Sequence, residues 1–116
     1  MEEEKITNIH RMAMEYCDLG DKCLREAIAY FQSAYQAELF VANEFKNSDL
    51  QPTRSVFYRS AGSIALQCGN IALTRNSKDD QRDEKEKAKW LFLQGLERNP
   101  PPEIADEIKE LLKECE

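Results

Sequence analysis

The chain has 116 residues, a length that fits one domain, and its 22 acidic and 16 basic side chains give a net charge of −6. Helix-favouring residues make up just over half of it, whereas strand formers are scarce, with only two valines. This composition excludes a β-sandwich, a barrel or an α/β sheet, predicts a single all-α domain over residues 1–116, and lacks the basic surface that nucleic acid requires.

Two helices are predicted in the first part of the chain, at 3–18 and 22–46. Apolar residues recur every three or four positions in both segments, the pattern of a helix with one buried face. Gly20 and Asp21 lie between them, and these residue types commonly end one helix and begin the next. We therefore expect an antiparallel hairpin with its turn at these two residues.

A second hairpin is predicted from helices at 52–75 and 83–98, joined by a polar turn at 76–82. Gly62 and Gly69 lie inside the first of these helices, where each costs about 1 kcal/mol relative to alanine. Close approach of a neighbouring helix is the simplest reason for their presence.

The chain after residue 98 is predicted to form a short fifth helix that caps one end. The prolines Pro100 to Pro102 end the preceding helix, because proline disfavours helical geometry in the residue before it. Pro102 suits the first position of a helix, and Ile104 and Ile108 begin an apolar edge. The predicted fold is thus about five helices in two hairpins with a C-terminal cap, and the alternative is a four-helix up-down bundle.

The second hairpin also carries the spacing of a known repeat. Its two helices contain Tyr58-x2-Ala61-Gly62-x2-Ala65-x3-Gly69 and Ala88-x3-Phe92-x2-Gly95-x4-Pro100. Both patterns resemble the tetratricopeptide (TPR) motif, in which small residues let two antiparallel helices approach and an aromatic side chain fills the space beside them. The segments 58–69 and 94–105 are also similar to a group of small bacterial, largely cyanobacterial, helical proteins. The resemblance implies stacked TPR-like hairpins that bind a protein or peptide.

The second hairpin departs from the TPR motif in length. Gly69 and Ala88 are 19 steps apart where a TPR motif has five, which leaves an excess of 14 residues. This excess is close to four helical turns, so two extra turns on each helix would keep the antiparallel register. Ile71, Ala72 and Leu73 continue the helical pattern and favour this extension over a flexible polar loop.

No set of residues in the sequence matches a catalytic, cofactor or metal site. His10 is the only histidine, and no arginine precedes it, which excludes the Arg–His motif of HEPN-class nucleases. Glu15 and Glu38 lie near apolar stripes, but the Glu-x-x-His motif of di-metal bundles is missing. The four glycines are isolated, so the sequence contains no phosphate-binding loop. We expect a protein that is not an enzyme.

The cysteines and the start of the chain bear on its location. Cys17, Cys23, Cys68 and Cys115 match no zinc-binding spacing and are interpreted as reduced, packed thiols. No apolar run approaches the roughly 20 residues that span a bilayer, and the acidic start is unlike a signal peptide. We therefore expect a cytoplasmic protein without a membrane partner.

A binding surface remains the candidate for function. The TPR resemblance implies that one side of the third predicted helix faces a ligand. That side carries Val56, Arg59, Ser63, Leu66 and Gln67. Trp90 and Leu93 lie off the core stripe of the fourth predicted helix, so they are candidates for a partner, a dimer contact or packing under the fifth helix.

The sequence therefore predicts a non-catalytic protein–protein interaction module, a TPR-like adaptor or scaffold. The alternative is a regulatory or antitoxin-like accessory subunit built as a helical bundle. Two hairpins are fewer than the three repeats that such stacks need, so we also expect self-association.

Overall fold

The computed structural model of the protein describes residues 2–74 and 77–116. This part of the chain forms four helices. They are α1 (Glu2–Glu44), α2 (Thr53–Thr74), α3 (Lys78–Gly95) and α4 (Pro102–Lys113). The all-α prediction is confirmed. The prediction of five helices is wrong, and the number of helices instead fits the four-helix alternative.

The two helices predicted before residue 47 are one helix, α1, which is 43 residues long. Gly20 lies inside α1. No glycine among the described residues has the positive φ with which glycine commonly ends a helix. A glycine inside a helix lowers its stability by about 1 kcal/mol but does not break it. The first TPR-like hairpin therefore does not form, and the expectation of two stacked TPR-like hairpins is wrong.

α2 and α3 form an antiparallel hairpin, and the predicted extension of both helices is confirmed. α2 continues to Thr74 and α3 begins at Lys78, so the 14-residue excess lies almost entirely in helix. The polar turn predicted at 76–82 is too long, since its last five residues belong to α3. Residues 75 and 76 lie outside the described residues.

Small residues on facing sides bring α2 and α3 together. Gly62 lies so close to Phe92 that a Cβ on this glycine would be 2.5 Å from the Cε1 atom of the ring. Gly69 approaches the backbone of Gln81 in the same way.

The buried apolar core consists of Ala42, Tyr58, Ala61, Ala65, Leu66, Cys68, Ala72, Ala88, Leu91, Phe92 and Ile108.

α4 packs against both helices of the hairpin, with its last apolar residues beside Ala65 and Ala88. Arg98 and Asn99 adopt left-handed backbone conformations, with φ of 63° and 58°, and turn the chain from α3 into α4. Ile108 is fully buried in the same cluster as Phe92. The ion pair between Glu107 and Arg59 also joins α4 to α2.

α1 is much longer than the body against which it packs. Its 43 residues span about 64 Å at 1.5 Å per residue, and the molecule measures 72 × 25 × 24 Å. Tyr35, Leu39 and Ala42 pack into the core from its C-terminal half. All of residues 2–23 are exposed. The N-terminal half of α1 therefore projects from the body, and we call residues 2–23 the arm.

Candidate interaction surface

The arm has one apolar and one polar face, as the 3.6-residue period of the helix arranges its side chains. The apolar face carries Ile6, Ile9, Met12, Ala13, Tyr16, Cys17, Leu19, Gly20 and Cys23, and at its N-terminal end it also carries the charged Glu2 and Lys5. The polar face carries Glu3, Glu4, Thr7, Asn8, His10, Arg11, Glu15, Asp18, Asp21 and Lys22, with Met14 among them. A helix with this pattern ordinarily buries its apolar face against another element.

The large side chains of the apolar face are open to solvent. Ile6 is 64% exposed, Tyr16 67% and Leu19 57%. Most helical stability in proteins comes from the packing of such a face, and the arm lacks this packing in the single chain. The arm is therefore expected to be fully helical only when another surface covers it.

Part of the apolar face alternates strictly between steps of three and four residues. This part, the arm stripe, consists of Ile9, Met12, Tyr16, Leu19 and Cys23. The same spacing continues along α1 to Tyr30 and Phe40, which are 77% and 68% exposed, and is interrupted by Glu26 and Ser33. An average repeat of 3.5 residues is typical of a helix that pairs with another helix along a shared seam.

The arm stripe is not the face that α1 uses against its own body. Tyr35 and Ala42 pack into the core, and the helical repeat places them about a third of a turn away from the line that runs through Tyr16 and Tyr30. A second helix can therefore lie along the arm stripe without displacing α2.

The apolar area exposed on α1 is large enough to support association. The large side chains on or beside the stripe that are about half exposed or more are Ile6, Ile9, Met12, Tyr16, Leu19, Tyr30 and Phe40. Full burial of one such side chain contributes about 1.5–3 kcal/mol, so covering these groups contributes roughly 10 kcal/mol before costs. Association itself costs about 4–15 kcal/mol, and the net affinity is therefore expected to be moderate.

Gly20 differs from the other three glycines of the chain. A Cβ added at Gly62, Gly69 or Gly95 would lie 2.5–3.3 Å from a neighbouring atom, so close helix packing explains these glycines. A Cβ added at Gly20 would meet no described atom within 4 Å. The packing of the described part of the chain therefore gives no reason for a glycine at this position of the arm.

The residues predicted to face a ligand on α2 have different environments. Leu66 is buried in the core and offers no surface to a ligand. The guanidinium of Arg59 forms an ion pair with the carboxylate of Glu107 on α4 and donates a hydrogen bond to it. Val56 and Ser63 are partly buried and Gln67 is exposed on the same helix. The structure thus leaves only part of this predicted face open, and its role as a binding surface stays a prediction.

Trp90 and Leu93 form a second, smaller exposed patch on α3. Each is 47% exposed, and their spacing of three residues places them on neighbouring positions of one helix face. Neither belongs to the core cluster that includes α4 or to the second core cluster. The exposed apolar face of the arm is much longer than this patch, so the arm is the stronger candidate for an interaction surface.

A cleft of about 720 Å³ lies between α1, α2 and the first turns of α3. Its lining includes Asp80, Asp83, Glu84 and Glu86 together with Lys87. The ammonium of Lys87 donates a hydrogen bond to Glu84 Oε1 over 3.1 Å, and this bond raises the pKa of the lysine. In the described ranges no three metal-binding side chains group together. The cleft is therefore an acidic surface with one locally paired lysine.

The four cysteines fall into two pairs. Cys17 and Cys23 are exposed on the arm, so the interpretation of these two thiols as packed is wrong. Cys68 is buried and Cys115 is half-buried, and burial raises the pKa of both thiols. The exposed pair lies on the apolar face of the arm, which nothing in the described part of the chain covers.

Thiol modification is expected to separate these pairs. A raised pKa keeps the Cys68 thiol protonated at neutral pH, and only the thiolate reacts with an alkylating reagent. We expect iodoacetamide to modify Cys17 roughly tenfold or more faster than Cys68, measured residue by residue by mass spectrometry. Equal rates at the two positions in the folded chain would contradict the burial of Cys68.

Comparison with known proteins gives no relative for this fold or surface. The chain matches no family model. Searches of the curated proteins and of the solved structures likewise returned no match. Within residues 2–74 and 77–116, no helix combines the length and the apolar character that crossing a membrane requires.

Proposed function

We propose that the protein is a non-catalytic, cytoplasmic protein–protein interaction module that binds through the apolar face of its arm. The observation that carries this proposal is that every residue of 2–23 is exposed while all the large apolar side chains of this segment except Met14 lie on one face. An exposed apolar patch of this extent on a soluble domain commonly marks an interaction site.

The body of the molecule supports the arm in this role. α2, α3 and α4 bury a common core, and the C-terminal half of α1 is fixed to it through Tyr35, Leu39 and Ala42. The arm is thus the free end of a helix whose other end is anchored. An adaptor or an accessory subunit needs this arrangement, because a fixed helix presents its apolar face in a defined direction.

Photo-crosslinking from the two faces of the arm tests the proposal. A photoreactive phenylalanine analogue is placed at Tyr16 on the apolar face or, as the matched control, at Asp18 on the polar face, and the cells that express the chain are irradiated. We expect a defined protein crosslink from position 16 and little or none from position 18. Equal crosslinking from both positions, or none from position 16, would overturn the proposal.

A further inference from the structure

We propose that the partner of the arm is the arm of a second copy of the chain, paired with it in antiparallel orientation about a twofold axis between Cys17 and Asp18. In this register, stripe residues whose numbers add to 35 lie opposite one another. Residues beside the stripe meet diagonally, so their numbers add to 33 on one side of the stripe and to 37 on the other. The inference rests on the proposed function and names the partner of that same surface.

The arm stripe is self-complementary in this register. Tyr16 lies opposite Leu19 of the second copy, and Met12 lies opposite Cys23 of the second copy. The twofold axis repeats both contacts, so four apolar layers form from four of the five stripe positions. The stripe residues are spaced alternately three and four residues apart. This average repeat of 3.5 residues keeps the apolar side chains of two paired helices in contact along the shared seam.

Gly20 obtains a role in the pair that it lacks in the single chain. Ala13 and Gly20 are seven residues apart beside the arm stripe, and the register brings Ala13 of one copy to Gly20 of the other. Two small residues at such a point let the helix backbones approach closely. The open space around Gly20 in the single chain is then the space that the second helix occupies.

Charge complementarity selects the antiparallel orientation. Glu15 and Lys22 flank the arm stripe on its other side, and antiparallel pairing brings Glu15 of one copy beside Lys22 of the second copy, twice by symmetry. A parallel pair would place Glu15 beside Gly20 of the second copy and would form neither contact. It would also bring together the acidic first turns, which carry Glu2, Glu3 and Glu4.

The size of the contact predicts a dimer of moderate affinity. The helices overlap from residue 5 to residue 30, about 39 Å, and about 15 residues of each copy face the other. A standard stable interface uses about 20–30 residues on each side. Glu26 lies on the continuation of the arm stripe, opposite Ile9 of the second copy. A carboxylate facing an apolar side chain weakens the two outermost contacts. We therefore expect a dissociation constant in the micromolar range.

Charge reversal tests the orientation and the register. The full chain is analysed by sedimentation equilibrium, with Asp18→Lys on the outward polar face as the control. We expect E15K and K22E each to weaken the dimer about five- to tenfold, and the double variant that carries both substitutions to return to within about twofold of the original affinity. The control is expected to leave the affinity unchanged. A monomeric original chain at several hundred micromolar, or a double variant no tighter than the single ones, would overturn the proposal.

The variant G20A provides a second measurement that does not depend on charge. Alanine favours the helix over glycine, so the arm of the monomer becomes more helical by circular dichroism, whereas the added methyl group at the contact weakens the dimer at least fivefold. A tighter dimer would contradict the close approach at Gly20. A monomeric chain that still crosslinks from position 16 to another protein would overturn the dimer and leave the proposed function standing.

Discussion

Replacing Arg54 by leucine is expected to lower the free energy of unfolding by about 2–4 kcal/mol. Arg54 is fully buried at the first turn of α2. Its Nη1 donates a hydrogen bond to the carbonyl oxygen of Gln94 over 2.5 Å, and its Nε donates one to the carbonyl oxygen of Lys46 over 3.2 Å. The guanidinium also lies 4.8 Å from the ring centroid of Tyr58.

These contacts explain the size of the expected effect. The carbonyl groups that Arg54 binds lie at the C-terminal ends of α1 and α3, where a helix leaves its last carbonyls without partners and carries partial negative charge. Leucine removes the charged donor from both carbonyl oxygens, and each hydrogen bond from a charged group contributes about 1.5–3 kcal/mol. The carbonyl oxygen of Gln94 keeps the backbone N–H of Glu97 as a second donor, which limits the loss at that position. Lysine is also expected to destabilise the fold, because it lacks the planar fork that reaches several acceptors.

Arg98 offers a matched control for this substitution. Arg98 lies in the same corner of the molecule and pairs with Asp49 over 2.7 Å, but this pair is open to solvent. Exposed ion pairs contribute about 0–1 kcal/mol, so R98L should lower the free energy of unfolding by less than 1 kcal/mol. Urea denaturation of both variants measures the difference. Equal loss in R54L and R98L would show that Arg54 does not join the helix ends.

The second large effect is expected at Phe92, where F92A should lower the free energy of unfolding by about 3–5 kcal/mol. The ring is fully buried and fills the space beside Gly62 on α2. Its removal leaves a cavity at the centre of the α2–α3 contact. Trp90 is the control on the same helix, since it is an aromatic residue that is 47% exposed, and W90A should cost about 1 kcal/mol or less.

A double-mutant cycle extends this prediction to the contact itself. In the original chain, G62A forces a methyl group to within 2.5–3.0 Å of the ring and should cost about 1–3 kcal/mol. In the F92A background the same methyl group fills part of the cavity and gains helix propensity, so G62A should become neutral or stabilising. An equal cost in both backgrounds would contradict the direct contact between Gly62 and Phe92.

The sequence predicted the structure best where two consecutive helices carry matching patterns of small and apolar residues. The small residues of 58–69 and the spacing of 88–95 predicted a close antiparallel pair, and Gly62 does pack against Phe92. The apolar run at Ile71 and Ala72 predicted the long hairpin. Both features depend on contacts between helices adjacent in the chain, for which spacing alone carries much of the information.

The sequence was misleading where the structure depends on which other part of the molecule covers a helix face. Gly20 and Asp21 suit a turn and also fit inside a helix, because only a positive φ at glycine or a proline would have required the break. The periodicity of the arm correctly indicated an apolar face but not its exposure. Arg54 carries a charge, and charged residues are seldom buried, so no local signal marked it as a core residue.

Hydrogen exchange along α1 is the most direct test of the claim that the arm pairs with the arm of a second copy. Exchange of the amides of residues 6–23 is compared at several hundred micromolar between the original chain and Y16E, which places a charge in the arm stripe. Pairing of the arms predicts slow exchange of these amides in the original chain, fast exchange in Y16E, and unchanged exchange in α2 and α3. Equal exchange of the arm in both proteins would contradict it.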